Sequence, residues 1–358
     1  MTWDPLKPYN DLPDLRPTQD IETRAVLKLA ANAREIIAKV DGFSYSVPNP
    51  LILIDTLSLQ EAKDSCEIEN IVTSTDELFK ELAQVDNTNP YTKEVLKYRQ
   101  AVYEGCEYLE RNNVLSTSLF CQLASTIKGV EMSVRKGLDT KIQDTFRKIT
   151  LYTPPAGENI VTNKLTNLER FIHKKDDLDP LVKLALIHYQ FEAIHPFTDG
   201  NGRVGRILNI LYLIQSGLLH KPIIYLSKYI IENKNEYYDG LRSVTQNHSY
   251  EPWVIFMLKS IESGANDTYK LLSDLKSAID FIDSSVKQKL PKLYSRELIE
   301  LLFKHAYCKI QFLVDNNIAK RQTASEYLNA LADIKILNKI KIGRNIYFVN
   351  NILLELLS

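Results

Sequence analysis

The sequence predicts a mostly helical fold in several parts. Apolar residues recur at helical spacing along most of the chain, β-prone runs are confined to two short places, and Pro and Gly punctuate the pattern without filling it. At 358 residues the chain is long enough to bury a large core and to form two or three domains. A hydrophobic fraction of 44% and a charged fraction of 25% are ordinary for a soluble globular protein. A net charge of −1 argues against bulk attraction to nucleic acid or anionic membrane.

The elements follow in order. Pro5, Pro8, Pro13 and Pro17 predict an extended arm, since Pro lacks an N–H and fixes φ. Residues 21–40 carry a helical period. Val47-Pro48-Asn49-Pro50 breaks the chain before a helix over residues 56–69, whose apolar side is Leu57, Leu59 and Ala62. Residues 91–109 and 117–128 are further helices. Between 133 and 157 the character changes. β-prone pieces at Ser133-Val134-Arg135 and at residues 148–152 flank a polar stretch and predict a hairpin, followed by Thr153-Pro154-Pro155-Ala156-Gly157. Residues 159–173 and 180–194 read as helices, the second through Leu181, Leu184, Ala185, His188 and Phe191. Residues 203–219 repeat Val204, Ile207, Leu208, Leu211 and Ile214 at helical spacing. Residues 225–241 hold Tyr229, Tyr237 and Tyr238, and residues 252–288 form a long helix. From about 290 the order is three short helices (294–303, 310–315, 320–334) and two strands (337–342, 345–349) joined at Gly343-Arg344. That is the pattern of a winged helix. Arg321-Gln322-Thr323-Ala324-Ser325 would open its recognition helix. Lys320, Arg321, Lys339, Lys341 and Arg344 make it locally basic, which leaves DNA and protein partners both open.

Chemistry concentrates in His195-Pro196-Phe197-Thr198-Asp199-Gly200-Asn201-Gly202-Arg203-Val204-Gly205-Arg206. Gly200, Asn201 and Gly202 can adopt positive φ and point successive N–H groups into an anion nest. The nest opens a helix, whose N-terminus favours negative charge. Arg203 and Arg206, three apart, share a helix face and suit several phosphates. Asp199 is placed to hold Mg²⁺, which bridges phosphate oxygens. His195 is the group here that can be neutral near pH 7 and accept a proton from a hydroxyl. Gly200-x-Gly202-x-x-Gly205 also matches a dinucleotide fingerprint. The preceding segment is helical, however, and no acid occurs between Arg206 and Tyr229, so that reading fails. Cys66, Cys106, Cys121 and Cys308 are scattered, without a C-x-x-C pair; they read as reduced thiols and argue against zinc, and His188 reads as a packing residue.

The stretch resembles the signature of the Fic (filamentation induced by cAMP) family, H-x-F-x-[DE]-G-N-G-R-x-x-R, with every fixed position filled. The resemblance implies transfer of AMP from ATP to a protein hydroxyl. It assigns His195 as the general base, Phe197 as a loop anchor and Asp199 as the Mg²⁺ ligand. Gly200, Asn201, Gly202 and Arg203 would hold the α- and β-phosphates and Arg206 the γ-phosphate, with Val204 and Gly205 inside the same nucleotide-binding run. Tyr238 resembles the family's adenine- or ribose-side tyrosine, and the hairpin its flap over the active site. Far upstream, Ser65-Cys66-Glu67-Ile68-Glu69-Asn70 matches the family's inhibitory pattern [ST]-x-x-x-E-[GN]. The resemblance implies that Glu69 pairs with Arg206 and blocks productive ATP binding, within one chain. Glu69 orienting a water to remove AMP is the alternative role.

The expected layout is a helical N-terminal region (1–110) with its inhibitory helix (about 56–70), a Fic catalytic core (111–289) and a winged-helix-like domain (290–358). The expected function is protein adenylylation (AMPylation) from ATP and Mg²⁺ onto a Ser, Thr or Tyr hydroxyl of a target protein, self-modification included, with autoinhibition by Glu69. The alternatives are a de-AMPylase and a nucleotide-sensing transcriptional regulator. The family implies a homodimer. No signal peptide and no membrane span of about 20 apolar residues is read, so a cytoplasmic location is expected.

Overall fold

The computed structural model describes residues 3–45, 50–85, 89–144 and 149–357. Within them helices dominate, and the strands form two small antiparallel sheets. Of the expected break at Val47-Pro48-Asn49-Pro50, residues 47–49 lie outside the described residues, and Pro50 opens a helix.

The leading region holds α1 (Arg24–Ser44), α2 (Pro50–Ile68), α3 (Thr75–Leu82) and α4 (Pro90–Asn112). Thr23 caps α1 by accepting from the Val26 N–H, and Asn89 with Pro90 opens α4. The short α3 was not foreseen; Ser74 caps it by accepting from the Glu77 N–H. The helix carrying the inhibitory pattern, α2, stops where Asn70 takes φ 63°, a left-handed turn that Asn tolerates. Mid-helix, Glu61 is buried and fixes α2 to the core. It accepts from the Tyr98 hydroxyl (3.0 Å), the N–H groups of Leu226 (2.8 Å) and Ser227 (3.0 Å), and the Ser227 hydroxyl (2.6 Å).

The central part comprises α5 (Thr117–Lys128), β1 (Ile142–Asp144), β2 (Ile149–Tyr152), α6 (Glu158–His173), α7 (Pro180–Ile194) and α8 (Asn201–Gln215). Ser116 caps α5 at one end and left-handed Gly129 closes it at the other. Helix α7 is apolar on all sides and almost wholly buried, which makes it the axis of the core. The first hairpin strand departs from expectation: β1 pairs with β2 at Ile142↔Tyr152, Gln143↔Thr150 and Asp144↔Ile149, while Ser133-Val134-Arg135 is no strand. Arg135 is spent otherwise. Its N–H donates to the Pro196 carbonyl and its buried guanidinium to the carbonyls of Ile194, His195 and Pro155.

Next come α9 (Ser227–Glu232) and α10 (Lys234–Asn247), a break at Asn233 replacing the one expected helix, and the long α11 (Tyr250–Lys289), which packs along α1. Gly264 lets α11 approach residue 225 closely: a Cβ there would stand 2.5 Å from the Tyr225 carbonyl oxygen. The last part is α12 (Arg296–Lys304), β3 (Tyr307–Cys308), α13 (Ile310–Asp315), α14 (Arg321–Asp333), β4 (Asn338–Ile342), β5 (Asn345–Val349) and α15 (Asn351–Leu356). The sheet order is β3-β5-β4; β3 and α15 were not foreseen. Lys320, Arg321, Lys339, Lys341 and Arg344 are all exposed.

Candidate active site

The motif forms the turn between two core helices. His195 ends α7 with φ 52° and Gly200 opens α8 with φ 81°. Between them Asn201 clamps the loop: its Oδ1 accepts from the Phe197 N–H and its Nδ2 donates to the Phe197 carbonyl, both at 2.8 Å. Phe197 is fully buried, 6.4 Å from the Phe191 ring centre. Asn201 therefore acts through loop geometry as much as through its N–H. The first N–H groups of α8 have no intrahelical acceptor, and Gly200, Asn201 and Gly202 line a cavity of about 320 Å³. His195, Asp199 and Arg206 line it too, as do Tyr238 and Glu69. Arg203, Val204 and Gly205 do not: Arg203 is buried against Glu69 and Glu94, Val204 is in the core, and a Cβ on Gly205 would stand 2.3 Å from Glu192 Oε1.

His195 is tuned to be neutral. Burial pushes its imidazole down to about 4, Arg135 adds to the shift, and the Glu192 backbone with the Glu69 and Asp199 charges opposes it. Nδ1 is shut off from solvent without a well-aligned partner, which leaves Nε2 as the nitrogen open to the cavity. Glu192, on the cavity wall, went unnoticed in the sequence. Burial raises its carboxyl to about 7, Arg206 opposing and Glu69 adding to the rise; its Oε1 has no hydrogen-bond partner among the described residues. No spacing rule marks such a residue.

Both motif arginines are buried and engaged. Arg206 Nη2 donates to Glu69 Oε1 at 2.8 Å and to the Ser65 carbonyl at 2.9 Å, and Nε donates to Ser65 Oγ at 2.7 Å. The same carboxylate meets Arg203: Oε2 is 3.0 Å from Nε, a charge contact off the hydrogen-bond line. Arg203 also donates to Glu94 on α4 at 2.6 Å. Gly202 makes room for this, since a Cβ there would lie 2.7 Å from Glu69 Oε1. His188 behaves as a packing residue, stacked on Trp253 and 2.9 Å from the Tyr237 hydroxyl.

Asp199 sits at the rim with its side chain 56% exposed, paired with Lys128. Burial pushes its carboxyl up, but Lys128, the Gly200 N–H and Arg203 hold it below the usual range. Among the described residues no cluster of three or more His, Cys, Asp or Glu could hold a metal. Mg²⁺ bound with a polyphosphate needs one or two carboxylates and otherwise takes phosphate and water oxygens. A single rim carboxylate beside the N-terminus of α8, paired here with Lys128, fits that donor set.

Comparison with known proteins agrees. Residues 27–107 match the Fic/DOC family N-terminal model, 114–213 the Fic/DOC family model, and 279–353 the protein adenylyltransferase SoFic-like, C-terminal domain. The chain is 33% identical over 183 residues to a probable protein adenylyltransferase of Aquifex aeolicus, covering 49% of this chain and 54% of that one. It is 29% identical over 152 residues to protein adenylyltransferase fic-1 of Caenorhabditis elegans, covering 42% and 28%. The chain thus spans about half, or less, of these relatives. In structure it resembles a Fic family protein from Desulfovibrio desulfuricans G20 (TM-score 0.60, 18% identity, 94% of this chain and 98% of that one). It also resembles Fic-1 residues 134–508 from C. elegans (TM-score 0.53, 19% identity, 68% and 70%). No helix among the described residues is long and apolar enough to cross a membrane. With residues 27–107 and 114–213 matching the two Fic/DOC models in sequence order and the motif folded as one loop inside the second, this chain carries the N-terminal and central domains of the Fic/DOC family.

Proposed function

We propose that this chain is a protein adenylyltransferase that moves AMP from ATP to a Ser, Thr or Tyr hydroxyl of a protein and restrains itself through Glu69. The observation that carries this reading is the Glu69 carboxylate lying between Arg203 and Arg206, in the cavity that also holds His195 and the open N-terminus of α8. Two cations engaged by one carboxylate, beside a neutral base, make a phosphate site at rest.

In the working state the triphosphate takes the N–H groups at Gly200 to Gly202 and draws Arg203 and Arg206 away from Glu69. Asp199 would hold Mg²⁺ once Lys128 gives way, and the ion would neutralise charge on the phosphate oxygens. The target hydroxyl oxygen bonds to the α-phosphorus while the bond from that phosphorus to the β-phosphate oxygen breaks. Pyrophosphate leaves, and the hydroxyl proton passes to His195 Nε2, already neutral at pH 7. Tyr238 borders the nucleotide space. The two-stranded hairpin offers a free edge to which a target segment can add as a strand.

The same reading extends to self-modification, a homodimer, a cytoplasmic setting and a winged-helix-like module over residues 290–358. That module's exposed Lys320, Arg321, Lys339, Lys341 and Arg344 suit an acidic partner, DNA included. Incubation with α-labelled ATP tests the core claim. Covalent label on protein, stronger in Glu69→Gly, supports transfer. Bound but unreacted ATP in both forms refutes it and leaves a nucleotide sensor.

A further inference from the structure

The cavity has a wall that the motif does not supply. Residues 3–15 cross the molecule as an arm fastened at several points. The Tyr9 N–H donates to the Thr153 carbonyl (3.0 Å), and the Thr153 hydroxyl to the Pro5 carbonyl (2.6 Å). The Ala156 N–H donates to Asn10 Oδ1 (2.8 Å), and Gln190 Nε2 to the Pro13 carbonyl (2.9 Å). Leu12 is fully buried, and Tyr9 meets Tyr152 edge-on at 6.4 Å. The arm is thereby tied to the segment leaving the hairpin and to α7, and it delivers Trp3 to the cavity lining.

The indole N–H of Trp3 is closed to solvent and has no acceptor among the described residues. A buried indole donor ordinarily finds one. The cavity that Trp3 lines has aromatic and apolar walls in Leu151, Tyr152, Tyr189 and Leu241. Tyr189 precedes His195 by six residues of α7, about 9 Å along the helix axis. The cavity wall at Tyr189 is therefore set back from His195 along α7. A nucleotide held by its phosphates at α8 places its base there, while a target hydroxyl comes in along the hairpin.

We propose that the N-terminal arm completes the base subsite: Trp3 covers the face of the adenine ring, and its idle N–H, which lies in the indole plane, is left for an acceptor beside that ring. The inference rests on the adenylyltransferase reading and adds to it a residue that reads the base. It differs from the motif contacts in kind, because it concerns the base alone.

Binding measurements on the full chain carrying Glu69→Gly test it. Calorimetric titration with ATP and with inorganic tripolyphosphate compares that chain with the same chain bearing Trp3→Ala or Trp3→Phe. Trp3→Ala should weaken ATP about tenfold, within the range for losing an aromatic stack on a base. Tripolyphosphate affinity should stay unchanged, which also serves as the control for folding. Trp3→Phe should keep the greater part of the ATP affinity, because the stack survives. The chain has two tryptophans, and Trp253 is fully buried. Quenching of tryptophan emission by ATP should therefore vanish in Trp3→Phe. Unchanged ATP affinity in Trp3→Ala, or an equal loss for ATP and tripolyphosphate, overturns the base subsite alone. Failure of the Glu69→Gly parent to bind either ligand overturns the adenylyltransferase reading, and this inference with it.

Discussion

Glu69 holds Arg206 through one carboxylate oxygen at 2.8 Å and faces Arg203 with the other at 3.0 Å, so one side chain just past the end of α2 engages both cations of the motif. Both guanidinium groups are almost fully buried, which shields the contact from screening by salt.

Removing that carboxylate should switch the chain on. Glu69→Gly is expected to raise AMP labelling about tenfold or more, the equivalent of ~1.5–3 kcal/mol for one charge-assisted hydrogen bond regained by ligand. Arg206→Ala added to Glu69→Gly should cancel the gain, because both changes act on one contact. Equal labelling by wild type and Glu69→Gly would remove the inhibitory role.

Ser65→Ala separates the side-chain hydrogen bond from the rest of the Arg206 cradle. The Ser65 carbonyl and Glu69 still hold Nη2, so only the bond to Nε is lost. Partial release is expected: labelling several-fold above wild type, in line with ~1 kcal/mol for one hydrogen bond, and below Glu69→Gly. Activity matching Glu69→Gly would show that Ser65, not Glu69, sets the restraint.

His195→Ala should lower the transfer rate about 10²–10⁴-fold while ATP still binds. The acid side of the pH profile follows from the same residue. With the imidazole held down to about 4, it stays a competent base as pH falls from 8 to 6, and the rate at saturating ATP should not drop there. A loss of rate centred near the ordinary histidine value of about 6.5 would contradict the burial of His195.

Glu192 titrates in that window instead, with a carboxyl raised to about 7. Above that pH it adds a negative charge to the cavity wall beside Arg206. Wild-type ATP affinity should therefore be tighter at pH 6 than at pH 8, and Glu192→Gln should flatten the dependence. Calorimetry at the two pH values in both forms is the check; identical slopes exclude Glu192 as the source.

The proposed Mg²⁺ site places metal dependence on Asp199 and its ion-pair partner Lys128. Lys128→Met should free the carboxylate and lower the Mg²⁺ concentration at half-maximal labelling, and Asp199→Ala should raise it. Arg203→Ala should weaken ATP itself, since arginine–phosphate contacts are charge-assisted. Mn²⁺ binding followed by relaxation of solvent water gives a readout independent of turnover.

Local signals explain what was legible. α5, α7 and α13 lie where their apolar periods put them, and the first two are also bounded by adjacent signals, Ser116 with Gly129 and Asp179 with Pro180. The Glu69–Arg206 contact was anticipated from two short patterns. Its extension to Arg203, and the hold of Glu94 on the same arginine, depend on where α2 and α4 dock, which no period encodes. The first hairpin strand was misplaced because Val134 and Arg135 look β-prone, whereas Arg135 spends its donors on carbonyls of the motif loop. Trp3 and Glu192 were missed for the same reason: each matters through a cavity assembled from distant segments.

The anchoring of Glu61 bears on how such a restraint can be lifted. Four donors converge on its buried carboxylate, so swinging α2 out of the core would strand a carboxylate and the donors it satisfies. The helix is thus no lid. Glu69 stands past the last residue of α2, next to the left-handed Asn70, and its side chain can turn without displacing the helix. On the proposed autoinhibition, release then needs a change of rotamer rather than of architecture, and basal output would be a graded quantity, set like a rheostat by how often one side chain looks away.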